Sequence, residues 1–197
     1  GSAKSPRATG ASPVGGERVC RWLLVPDANT LLAASGRSVT AHNADDGQVL
    51  WSLDVVPTGQ ISGGQLSADG KTLAIKTDTD GGRVLLIRDR QVVGTIFGPV
   101  DVALPTADGQ FVAVTHGRTL KWYSATGALR WQFTGDEFLR NPAIAPDGTI
   151  VVIDADHRNN FGNLTPNDEL ALVDPTSGIA NFGGGIYEIG TNRPLHD

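Results

Sequence analysis

From residue 19 onward the chain alternates short apolar runs with polar turns, and no stretch of eleven or more residues sustains a helical period of 3.6. The runs at 30–34, 72–76, 111–115 and 149–153 each follow a turn of the same kind. Asp69-Gly70, Asp108-Gly109 and Asp147-Gly148 lie 39 residues apart at each step, and Asp27-Ala28-Asn29 stands 42 residues before the first of them. Asp-Gly pairs suit tight hairpins, because glycine adopts the positive φ that other residues resist. A second turn recurs in each copy, at Asp46-Gly47, Arg90-Gln91, Thr126-Gly127 and Ser177-Gly178, and a run ending in an aromatic is expected after it, at Trp51, Phe97, Trp131 and Phe182. The pattern predicts an all-β protein of four-stranded antiparallel meanders, each the length of one β-propeller blade. The predicted blades are 19–54, 58–97, 99–134 and 139–182.

The second turn and its aromatic carry a resemblance. Residues 41–51, which include Ala41, Gly47 and Trp51, resemble the repeat of the quinoprotein, or PQQ-repeat, propellers, of the form Ala-x-Asp-x-x-Thr-Gly-x-x-x-Trp. The third copy keeps Thr126, Gly127 and Trp131, the fourth keeps Asp174 and Gly178 but has Phe182, and the second has lost the motif. The inner turns resemble those of WD40-type and TolB-type propellers as well. The resemblance implies that Gly47, Gly127 and Gly178 make turns and that Trp51 and Trp131 pack between blades, so these residues define a fold and not a site.

Four blades raise a question of closure, since propellers of six to eight blades usually join their first and last blades with a shared strand. The tail 183–197 is expected to begin a fifth blade with Ile186, Tyr187, Glu188 and Ile189. Three arrangements follow: a fragment of a longer propeller, two chains completing each other, or an open arc capped by a partner. Residues 1–18, rich in Gly, Ser, Ala and Pro, read as a flexible linker or tag, with Gly1-Ser2 resembling an expression scar and the natural protein beginning further upstream.

Composition excludes some partners. The 197 residues carry a formal charge of −5, and the 16 basic side chains are scattered, which argues against a nucleic-acid surface. No apolar run is long enough to span a membrane. The one cysteine, Cys20, cannot form an internal disulfide and reads as a buried thiol. The compartment is open; an extracytoplasmic domain of a larger bacterial protein is one placement compatible with the sequence.

Candidate chemistry gathers in one insertion. Between their second and third strands the first and third copies have short turns, at residues 35–38 and 116–118, and the second has residues 78–82, whereas the fourth has residues 154–168. Long loops on rigid scaffolds commonly carry function. Asp154, Asp156 and Asn159 offer oxygen ligands at a spacing that Ca²⁺ could use, although the EF-hand pattern fails for want of an early glycine and a terminal glutamate. Asp and Asn are also ordinary turn formers. Asp154, Asp156, His157, Asn160 and Asn163, with His116 on the neighbouring copy, form the expected partner-binding set. His116 and His157 without a third ligand are a poor zinc site, and solvent-facing histidines are the plainer reading. No nucleophile, phosphate-loop or Cys-His motif is present. The expectation is a non-enzymatic propeller module that binds a protein partner or a second copy of itself, with no cofactor required. The rival is a fragment of a quinoprotein-type redox enzyme or a calcium- or ligand-binding propeller.

Overall fold

Among the described residues eighteen strands run in chain order, and each strand of a blade pairs antiparallel with the next. The computed structural model describes residues 22–56, 59–79, 81–135, 138–145, 148–155, 169–175, 179–182, 185–188 and 193–194. The first blade is β1 (Trp22–Asp27), β2 (Thr30–Ser35), β3 (Ser38–Asn43) and β4 (Val49–Asp54). The second is β5 (Ile61–Leu66), β6 (Thr72–Thr77), β7 (Arg83–Arg88) and β8 (Gln91–Phe97). The third is β9 (Val102–Pro105), β10 (Phe111–His116), β11 (Thr119–Ser124) and β12 (Leu129–Thr134). The fourth sheet begins with β13 (Phe138–Ile144), β14 (Ile150–Ala155), β15 (Glu169–Asp174) and β16 (Ile179–Phe182).

That fourth sheet does not stop at four strands. β17 (Gly185–Glu188) pairs antiparallel with β16, and β18 (Arg193–Pro194) pairs with β17, so the sheet has six strands. The tail expected to open a fifth blade therefore lengthens the outer edge of the fourth. A blade's outermost strand offers an unpaired backbone edge, and the tail, turning back after Phe182, meets that edge first.

Sequential blades contact one another through their inner strands, β1 against β5, β5 against β9 and β9 against β13, and the ring is left open. Alternation along each strand divides the core into three layers. Leu32, Ala34, Val39 and Ala41 of the first blade bury against Leu73, Ile75, Leu85 and Ile87 of the second. The intervening residues Ala74, Val84, Leu86 and Ile96 bury against Val112, Val114 and Tyr123 of the third. Ala113, Leu120, Trp122 and Phe133 bury in turn against Leu139, Ile150 and Val173 of the fourth. A strand buried on both faces thus needs an unbroken apolar run, which β7 supplies with Val84-Leu85-Leu86-Ile87, all buried. In β2, by contrast, only Leu32 and Ala34 are buried.

Register shows what became of the repeat motif in the second blade. Trp51 lies opposite Ala41 and Trp131 opposite Trp122, each followed by an irregularity in the pairing. The residue at that place in the second blade is Gly94, opposite Leu86 and beside the same irregularity. The aromatic expected to close this copy, Phe97, sits three residues further on, opposite Arg83, and is 73% exposed with the Arg83 guanidinium over its ring. The turn is also shifted by one residue. Asp89 and Arg90 take positive φ of 51° and 62°, a two-residue hairpin of the type whose twist matches its strands.

Candidate functional site

The blades present two opposite ends. One carries the turns between the second and third strands together with the connections between blades; the other carries the Asp-Gly turns. Candidate chemistry occurs at both.

At the first end, the first and third blades use the same clamp. Gly36 and Gly117, at φ of 56° and 55°, turn the chain, and Arg37 and Arg118 follow. The Arg37 carbonyl accepts the N–H of Val55, and its Nε donates to the Val56 carbonyl at 2.8 Å. The Arg118 carbonyl accepts the N–H of Gly135, and its Nε and Nη2 donate to the Gly135 carbonyl at 3.2 and 3.1 Å. Each arginine ties the turn to the connection leaving its own blade, so this end is stiff around short turns. In the second blade Gly82 takes the same place, its carbonyl accepting the N–H of Gly98. The Gly-Arg recurrence is visible in the sequence at residues 36–37 and 117–118; its meaning lies in the hydrogen bonds to a distant segment.

His116 stands at this end, at the close of β10. Its Nδ1 lies 3.3 Å from Asp101 Oδ1, and the other Asp101 oxygen accepts the Gly117 N–H at 2.9 Å. The Asp101 carbonyl accepts from Lys76 Nζ at 3.0 Å, which links the second blade to the third. Asp154 lies at the same end, with its backbone opposite Glu169. Thirteen residues separate β14 from β15 there, against two between β2 and β3 and two between β10 and β11. Asp156, His157, Asn159, Asn160 and Asn163 fall outside the described residues, as does Gly178. Among the described residues no three His, Cys, Asp or Glu side chains gather as a metal site.

At the opposite end, the Asp-Gly turns are built on one plan. Ser67 Oγ donates to Asp69 Oδ1 at 2.6 Å and accepts the Thr72 N–H; Thr106 Oγ1 donates to Asp108 Oδ1 at 2.6 Å and accepts the Phe111 N–H. Asp108 is held below the usual carboxylate value by the Thr106 hydroxyl and then by the Gln110 N–H, against a smaller opposing effect of burial. Burial is the largest single influence on Asp69 and raises its pKa, but the Ser67 hydroxyl, the Lys71 N–H and the Lys71 and Arg88 charges together outweigh it, and the net shift is downward.

Two clefts open between blades at this end. One, of about 480 Å³, lies between the first and second blades, with Trp51, Leu50, Lys71, Arg88 and Arg90 on its walls. The other, of about 620 Å³, lies between the third and fourth, with Phe111, Trp122, Trp131, Arg130, Asp108 and Pro175. In the second cleft Phe111, Trp122 and Trp131 form a near-parallel stack, with centroids 5.4 and 5.8 Å apart. In the first, Arg90 lies over the Trp51 ring at 5.8 Å. Gly47 and Gly127, at φ of 72° and 84°, make the turns that lead into the two tryptophan strands.

An open set of antiparallel four-stranded blades, with a turn glycine four residues before a strand tryptophan, defines a β-propeller of PQQ-like repeats. The chain belongs to the family described as outer membrane protein assembly factor BamB (PQQ_2), which it matches over residues 35–169. Among solved structures it is similar to Kuenenia stuttgartiensis hydrazine synthase, with a TM-score of 0.58 and 20% identity over 94% of this chain and 53% of that one. It is also similar to U3-55K, with a TM-score of 0.58 and 16% identity over 92% of this chain and 52% of that one. The chain spans about half the length of these structures, and the likeness is one of fold. No curated protein sequence matches it. Among the described residues no helix is long and apolar enough to cross a membrane.

Proposed function

We propose that this chain is a non-catalytic propeller module that holds a protein partner at the end bearing residues 154–168. The observation carrying this reading is the contrast in loop length at that end: Gly36-Arg37 and Gly117-Arg118 are short and clamped, whereas thirteen residues join β14 to β15. A stiff platform with one long loop suits recognition of a surface, because the platform lowers the ordering cost of binding. Membership of a family described as an assembly factor agrees with a role in holding another protein.

The test is to replace residues 156–168 with a Gly-Arg turn copied from residues 36–37 and to compare crosslinked partners in the source cell. Loss of a discrete crosslinked species, with the unfolding midpoint unchanged, supports the reading; an undiminished species overturns it. A second reading rests on the oxygen-bearing residues of the same loop, with Asp154, Asp156 and Asn159 holding Ca²⁺. Calorimetry with Ca²⁺ separates the two: heat that Asp154→Ala abolishes favours the ligand-binding propeller.

A further inference from the structure

The two end blades each have one apolar face that no blade of this chain covers. In the first blade that face carries Leu23 and Val25, 62% and 61% exposed, with Leu31 and Ala33 half-buried beside them. These positions are not surface positions by register. Leu31 and Ala33 correspond to Leu73 and Ile75 of the second blade and to Val112 and Val114 of the third, four residues that are buried against the preceding blade. The polar positions at the centre of the face are Thr40 and Ser52, whose hydroxyls lie 3.2 Å apart, while His42, opposite Leu31, and Asp54, opposite Ser38, stand at the strand ends. A solvated sheet face would carry Lys and Glu among its alternate residues.

The fourth blade has the complementary face. Val173 and Ile150 are buried towards the third blade, so Leu172 and Ala143, on alternate positions, face away from it and are exposed, Leu172 at 44%. By strand register Val151 lies opposite both Leu172 and Ala143, and Ile153 opposite Leu170, so the middle of that face is apolar, with Arg140 opposite Ile153 and Asn181 opposite Leu172 at its margins.

We infer that these two faces are the halves of one junction, and that the occupant is a second copy of this chain, joined with its fourth blade on the first blade of its partner and its first blade on the partner's fourth. Two observations carry this. The same pair of surfaces, a following blade's face on a preceding blade's face, already forms all three junctions within the chain, so the faces left at its two ends match each other. The added strands β17 and β18 extend the outer edge of the fourth sheet and leave its face open. A twofold ring closes through two identical junctions, which removes both apolar faces from water at once. This goes beyond the loop-end reading and does not depend on it.

Light scattering on the whole 197-residue chain is the test. The expected result is a particle of twice the chain's 20.6 kDa mass. Ala33→Asp and Leu172→Asp each place a charge on one half of the junction, and each is expected to raise the dissociation constant at least ~10-fold. An equimolar mixture of the two variants forms one intact junction, from the unaltered fourth blade of one and the unaltered first blade of the other, while the second junction carries both aspartates. The mixture therefore associates through a single junction where neither variant alone has an intact one. Thr40→Lys, at a half-buried position opposite Ala33 on the same face, repeats the test should Ala33→Asp fail to fold. A monomer up to ~200 µM overturns the inference, as does a dimer that none of the substitutions weakens. Neither result bears on the loop-shortening experiment, which reads partner crosslinks.

Discussion

The middle blade junction and the two that flank it solve one packing problem in opposite ways. At the flanking junctions a tryptophan at a fixed register fills part of the space and a cleft of several hundred Å³ remains beside it. At the middle junction the tryptophan is absent and the backbones close in. A Cβ built on Gly94 would lie 2.6 Å from the Thr126 carbonyl carbon and 2.8 Å from the Ala125 oxygen. The turn of the third blade thus occupies the room that an indole would need. Polar contacts add to the seal: Arg88 Nε donates to Thr72 Oγ1 at 3.1 Å and its Nη2 to the Asp108 carbonyl at 3.0 Å, while the Asp69 N–H donates to the Ala107 carbonyl. Loss of the repeat motif in the second blade is therefore an exchange of an aromatic wedge for close backbone contact, and not decay of the repeat.

The most disruptive way to break this contrast is to restore the repeat. Gly94→Trp is expected to abolish cooperative folding, and Gly94→Ala to cost about 2–3 kcal/mol in urea unfolding, since the displaced atoms are backbone. A neutral Gly94→Ala would mean that the middle junction is looser than these distances say. At the aromatic junction, Trp122→Ala is expected to cost about 3–5 kcal/mol, because the ring is buried between Phe111 and Trp131. Within the motif itself, Trp131→Ala should exceed Trp51→Ala by about 1 kcal/mol, the extra coming from the indole stack that Ala41 cannot provide. Equal losses would place the value of both tryptophans in burial alone.

Arg88 is expected to matter at about 1–3 kcal/mol, with Arg88→Lys recovering little, since a single ammonium cannot replace two divergent guanidinium bonds. The smallest effect is electrostatic. Asp69 and Asp108 titrate below 3.8 in the folded chain, so their contribution is complete above that value and is lost as the pH falls through their lowered folded values. Unfolding midpoints measured between about pH 5 and pH 2 should fall less steeply in Asp108→Asn than in the native chain.

Much of this is legible in the chain. Asp-Gly turns report themselves because their φ requirement is local, and the 39-residue spacing then sets the blades. The place of the long loop follows from the same frame. Gly94 is not legible: both tryptophans come four residues after a positive-φ turn residue, and only the structure shows that in the second blade this residue is Arg90 and not Gln91. Phe97, an aromatic close by, competes for the same place on residue type, and only the strand register rejects it.

Sequence alone determined the repeat, the strands and which alternate positions are apolar, all of which depend on neighbours a few residues away. Tertiary structure decided the rest, because partners in space are not encoded locally. It placed β17 on the edge of the fourth sheet, brought Arg88 of one blade to the Asp108 carbonyl of the next, and set Gly94 against the backbone of the third blade. It also left one face of β2 outside the core that covers both faces of β6, two strands that the pattern of the chain marks as equivalent.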